Sequence, residues 1–225
     1  MKNKKQIFAI IAIALTASLT MAFVDGFWQP PYWIKSAIKV ALFLILPFGY
    51  ALWDKDIKLL SVFKFNKKGF KTALLLSIPL YLLILGAYFI FKNVFSFADI
   101  TDSLTGNAGV TRDNFVFVAL YISFVNSLLE EFFFRGFVFL GLKKVWNNGS
   151  AYIFSAAVFA VYHIAMMTGW FSPVLFVLAM AGLFAGGLIF NFLNSKSENI
   201  YTSWLVHMFA NFAINTIGLI LFGII

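Results

Sequence analysis

Seven stretches of largely uncharged residues, each about 18–28 long, follow one another along the chain at 7–24, 34–53, 72–91, 115–142, 151–168, 173–194 and 201–225. Each is near or above the ~20 residues needed to cross ~30 Å of hydrocarbon. Nothing between them is large enough to bury a soluble core. With 62% of residues apolar and 12% charged, against ~45–50% and ~25% in soluble domains, the bilayer is the expected solvent. In lipid every backbone amide must find its partner inside its own segment, which favours helices. The expected fold is therefore all-α, a polytopic transmembrane bundle of seven to eight spans forming one integral membrane domain over residues 1–225.

The ends of the spans carry the basic residues. Lys2, Lys4 and Lys5 precede the apolar run Ile7–Val24, the pattern of a signal peptide or a first span. No Ala-x-Ala site stands convincingly before Asp25, so an uncleaved span is expected. Placing the N-terminus in the cytoplasm puts Lys2, Lys4, Lys5, Lys55, Lys58, Lys64, Lys67, Lys68, Lys71, Lys143, Lys144 and Lys196 inside. Lys35, Lys39, Lys92 and Arg112 then lie outside, and Arg135 is the one basic residue within a span. That distribution follows the positive-inside rule. The net charge of +8 is thus matched to the anionic inner leaflet rather than to nucleic acid. The six tryptophans fall near span ends, the abundant phenylalanine suits a lipid-facing surface, and Asp99–Asn114 reads as an outer loop. With no cysteine in the chain, disulfides, thiolate metal sites and a cysteine nucleophile are all excluded.

Against this apolar background a few polar residues stand out. Two of the three glutamates, Glu130 and Glu131, fall in the fourth span, where an ionised carboxylate costs at least ~2.5–3.5 kcal/mol. Arg135 is four residues beyond Glu131 and shares its helix face, while Glu130 points about 100° away. Both histidines are also intramembrane: His163 follows Phe159 by four residues, and His207 precedes Asn211 by four. Counted at ~1.5 Å per residue, Glu130, His163, His207 and Asn211 reach a common depth in the inner half of the bilayer. Each polar residue alone could simply tie helices together, but their convergence points to chemistry. Gly182, Gly186 and Gly187 read as a small-residue face for helix packing. Ser123, Ser127 and Ser155 lack a nucleophile-elbow setting.

The series Glu-Glu-x-x-x-Arg at Glu130–Arg135, Phe-x-x-x-His at Phe159–His163 and His-x-x-x-Asn at His207–Asn211 resembles the family of CAAX proteases and bacteriocin-processing enzymes, also called the Abi or CPBP family. The resemblance covers Asn114 to Phe212, so 114–225 is expected to form the catalytic helical core. Residues 1–113 supply N-terminal spans without a family signature. The resemblance implies a fold of about eight membrane helices and peptide-bond hydrolysis by a glutamate-activated water. Glu130 would be the base and His163 would hold the water. His207 and Asn211 would stabilise the oxyanion, Glu131 and Arg135 would shape the site, and Phe159 would support it. The expected substrate is a membrane-embedded or lipid-associated peptide or protein. No cofactor is favoured; zinc held by Glu130, His163 and His207 is the alternative, although ligands from three spans without visible carboxylate support for the histidines speak against it. Competing functions are a non-catalytic bacteriocin self-immunity or scaffold protein of the same fold, and a proton-coupled transporter. The absence of an internal repeat disfavours the transporter.

Overall fold

The computed structural model describes residues 2–225, except for the side chains of residues 2, 98, 107 and 108, so the charge expected of Lys2 lies outside it. Among the described residues, besides a short 3-10 helix at Leu59–Phe63, eight helices follow in order: α1 (Asn3–Trp28), α2 (Tyr32–Trp53), α3 (Lys67–Phe91), α4 (Ala98–Ala108), α5 (Phe115–Val145), α6 (Asn148–Met167), α7 (Pro173–Ser197) and α8 (Tyr201–Leu221). All but α4 are long and apolar enough to cross a membrane. The protein is a multi-pass integral membrane protein with an all-helical bundle. One sequence expectation changes here. The segment Asp99–Asn114, read as a loop, contains most of α4.

Local chemistry sets the boundaries. The Asn66 side chain accepts the Gly69 amide at the start of α3, and Asn147 accepts the Ser150 amide at the start of α6, satisfying amides that the first helical turn leaves free. Pro173 opens α7, where its missing N–H costs nothing. Glu198, with φ of 53°, turns the chain sharply into α8.

α5 is the centre of the bundle, and it is not a uniform α-helix. Turns with i→i+5 hydrogen bonding occupy Ile122–Asn126 and Glu131–Phe139, flanking one short α-helical piece at Ser127–Glu130. Such π turns are uncommon and recur at functional sites. Every residue from Glu131 to Phe139 is buried, so this stretch has no lipid-facing side. Phe132, Phe133, Phe134, Phe137 and Phe139 fill the core around it. Phe43 of α2 stacks on Phe133 at 4.3 Å between ring centroids and meets Phe134 edge-on at 5.4 Å, geometries that add to the gain from burial. The phenylalanines are therefore core as much as lipid surface, a departure from the sequence reading.

Around α5, helix α3 packs along α8 and α6 along α7. Tyr81 of α3 meets Thr216 of α8 at 3.1 Å. Asn191 of α7 donates to the Tyr152 carbonyl of α6 at 3.0 Å and accepts from Ser155 at 3.3 Å. Of the three glycines read as a packing face, only Gly187 makes a close approach: a Cβ there would stand 3.0 Å from Cα of Ala156, whereas Gly182 and Gly186 face open space. Gly187→Leu should therefore destabilise the protein by about 1–3 kcal/mol through overpacking, while Gly186→Leu should be nearly neutral. Thermal unfolding of the two variants in detergent checks the contrast.

Candidate active site

Four helices bring the polar side chains together. Glu130 lies at the end of the α-helical piece of α5, with its neighbour Glu131 opening the wider π turn. His163 comes from α6 and His207 from α8. All three of Glu130, His163 and His207 are buried. Nε2 of His163 stands 3.9 Å from Oε2 of Glu130, and Nε2 of His207 stands 3.8 Å from the same oxygen. These gaps are too long for direct hydrogen bonds and suit one bridging water.

The far side of each imidazole is fixed. His163 Nδ1 is 2.7 Å from the Phe159 carbonyl; a carbonyl only accepts, so Nδ1 donates and neutral His163 presents a bare Nε2 to Glu130. His207 Nδ1 is 2.9 Å from Oε1 of Glu131. A carboxylate there accepts from Nδ1, so His207 Nε2 carries a proton only when the ring is an imidazolium. Glu131 in turn pairs with Arg135 at 3.2 Å, both side chains being fully buried. The guanidinium stands over the rings of Phe159, 3.9 Å to the centroid, and Phe190, 4.9 Å, a desolvated cation–π setting. Phe190 stacks on the His207 ring at 5.3 Å. Phe159 is thus a joint support, accepting from His163 through its carbonyl and facing Arg135 with its ring.

Asn211 is placed differently. Its amide donates to the Ile122 carbonyl at 3.3 Å. With Trp204, which reaches the Phe124 carbonyl and Ser127, and Asn215, which reaches the Ala119 carbonyl and Ser123, it forms a polar stripe on α8. The stripe docks against the first π turn of α5 and its flanks, meeting carbonyls that lipid could not satisfy.

Two participants escaped the sequence reading. Lys39, expected outside, lies within α2, and its ammonium is 3.4 Å from Oε1 of Glu130 and 2.6 Å from Oδ1 of Asn126. Glu130 therefore has a cation of its own, and Arg135 is not the only basic residue in a span. Asn126 also donates to Oε1 of Glu130 at 2.9 Å. Its i, i+4 spacing to Glu130 was a visible signal; Lys39 was signalled only by sitting five residues inside an apolar run.

Two histidines and a carboxylate are also a zinc donor set. The structure removes one objection to zinc, since Glu131 and the Phe159 carbonyl do support the histidines from behind. It supplies another: the ammonium of Lys39 already lies against the Glu130 carboxylate, and a second cation beside it would be repelled. Among the described residues no group of three or more His, Asp or Glu side chains has an arrangement that holds a metal.

Residues 112–213 match the family described as Type II CAAX prenyl endopeptidase Rce1-like. That match coincides with the three motifs and the geometry just described, and it identifies residues 112–213 as a domain of the CAAX protease and bacteriocin-processing family. The chain is a CAAX-protease-like hydrolytic enzyme of the membrane. No curated protein and no solved structure matches the chain.

Arg135→Met should leave the buried Glu131 with His207 as its one remaining partner and cost about 3–5 kcal/mol. Pairing it with Glu131→Gln should recover much of that loss, a coupling that thermal unfolding of the two single variants and the double variant measures.

Proposed function

We propose that Glu130 is the general base of an intramembrane endopeptidase and that His163 holds the attacking water. The observation that carries this is the approach of both Nε2 atoms to the single oxygen Oε2 of Glu130, at 3.9 and 3.8 Å. A water bridging these atoms gives its proton to Glu130 while its oxygen attacks the scissile carbonyl carbon. The carbonyl oxygen gains the negative charge. His207, protonated on both nitrogens and backed by Glu131, donates from Nε2 to that oxyanion. The second N–H of Asn211, beyond the one given to Ile122, is the other donor. Collapse of the tetrahedral intermediate breaks the C–N bond, and the proton on Glu130 passes to the leaving amine. Arg135 holds Glu131, and through it the His207 ring.

The substrate in this reading is a membrane-embedded or lipid-associated peptide or protein, and residues 114–225 form the catalytic core within the single domain. A cytoplasmic N-terminus is part of the proposal. With Lys39 and Arg135 both interior, the remaining basic residues divide twelve inside to three outside, Lys35, Lys92 and Arg112.

Glu130→Ala and His163→Ala should each lower turnover of a membrane-peptide library by about 10²–10⁴-fold, with His207→Ala losing about 10²–10³-fold. The assay uses the purified protein in detergent, with and without chelator. Turnover that survives chelation and vanishes in Glu130→Ala supports the glutamate mechanism. Chelator-sensitive turnover restores zinc, and wild-type protein without turnover refutes the peptidase reading.

A further inference from the structure

The two oxygens of the Glu130 carboxylate live in different surroundings. Oε2 faces the histidines. Oε1 accepts from Nδ2 of Asn126 at 2.9 Å and lies 3.4 Å from the Lys39 ammonium, which also donates to Oδ1 of Asn126 at 2.6 Å. Three side chains thus close a ring around one oxygen. Lys39 comes from α2 and Asn126 from the last residue of the first π turn of α5. The ammonium is 5.3 Å from the centre of the Tyr162 ring of α6, which backs it with an aromatic face.

A glutamate carboxyl turns easily about its last torsion, which has broad, nearly two-fold preferences. An untethered Glu130 would present its oxygens to the water space in varying directions. Charge-assisted bonds to Oε1 remove that freedom and offset the cost of an ionised carboxylate in an apolar bundle. Lys39 lies outside residues 112–213, so the matched segment alone does not complete this environment.

We propose that Lys39 and Asn126 are positioning residues, clamping Oε1 of Glu130 so that Oε2 faces the water held by the histidines, and that α2 is therefore a working part of the active site. The proposal rests on the reading of Glu130 as the base.

The test is a double-mutant cycle on the full-length protein in detergent, with Lys39→Met, Asn126→Leu, both together, Lys39→Arg, and Glu130→Gln as reference. A clamp predicts that each single substitution lowers kcat by roughly 10–10³-fold with KM within about threefold, the range in which small misplacements act. The double variant should then fall no lower than the worse single one, because both act on one oxygen. Lys39→Arg should regain at least about tenfold over Lys39→Met, since it restores the charged donor. Unchanged kcat, losses that multiply, loss in KM alone, or an arginine no better than methionine overturns the proposal while an inactive Glu130→Gln still upholds the base.

If the wild type shows no turnover, the base reading falls, and the contact is read by thermal unfolding instead. Lys39→Met should lower Tm by roughly 5–10 °C when Glu130 is present and far less in the Glu130→Gln background. Equal shifts in both backgrounds contradict the pairing.

Discussion

Two carboxylates next to each other in the sequence are carried into the middle of an apolar bundle, and most of the surrounding architecture answers that single electrostatic problem. Born-type costs of several kcal/mol per ion are not recovered by packing, so each carboxylate has acquired a cation from a different direction. Glu131 has Arg135, four residues on along its own helix; Glu130 has Lys39, from another helix altogether. Aromatic rings close around both cations, Phe159 and Phe190 at Arg135 and Tyr162 at Lys39. The division leaves the two acids with different tasks. Glu131, whose Oε1 is shared by Arg135 and His207, is a structural anion. Glu130 keeps one oxygen turned toward the two histidines, where an anion surrounded by weakly hydrated groups can accept a proton.

The backbone makes this arrangement possible. The change from α-helical to π-helical hydrogen bonding falls between Glu130 and Glu131, so the phase of the helix shifts between the two buried carboxylates. Widened turns leave carbonyls in need of donors, and α8 supplies them through Trp204, Asn211 and Asn215. The same stripe sets the distance between α5 and α8, and with it the 3.8 Å separation of His207 from Glu130. Asn211 thereby helps hold α8 against α5.

The spans were legible because hydrocarbon thickness fixes their length, and all seven apolar runs became membrane-length helices. The convergence of Glu130, His163 and His207 could also be read, since one count of residues per helical rise applies to every span. What escaped has a common cause in local geometry. Lys39 was assigned by charge and by nearness to a span end; the direction of a long flexible side chain cannot be seen in sequence. The π turns have no sequence signature comparable to that of an amphipathic helix, so nothing in the residue pattern marked the wider turn at Glu131–Phe139. α4 was hidden by Gly106, Asp99 and Asp102, residues that resemble a loop. The packing of Gly187 on Ala156 depends on the approach of α7 to α6, which the spacing of three glycines does not determine.

The most direct test of Glu130 as a base, acting on water rather than attacking the peptide itself, is isotope transfer in a single turnover. Excess enzyme is mixed with a cleavable membrane peptide in ¹⁸O-labelled water, and both the new carboxyl terminus and the Glu130-containing fragment are examined by mass spectrometry. Direct attack by water places one ¹⁸O in the product carboxylate and none in Glu130. Heavy oxygen in the side chain of Glu130, a product carboxylate without it, or a peptide hydroxamate formed when hydroxylamine is added to trap an acyl group, would mean that a covalent acyl intermediate forms on the protein and that the role assigned to Glu130 is mistaken.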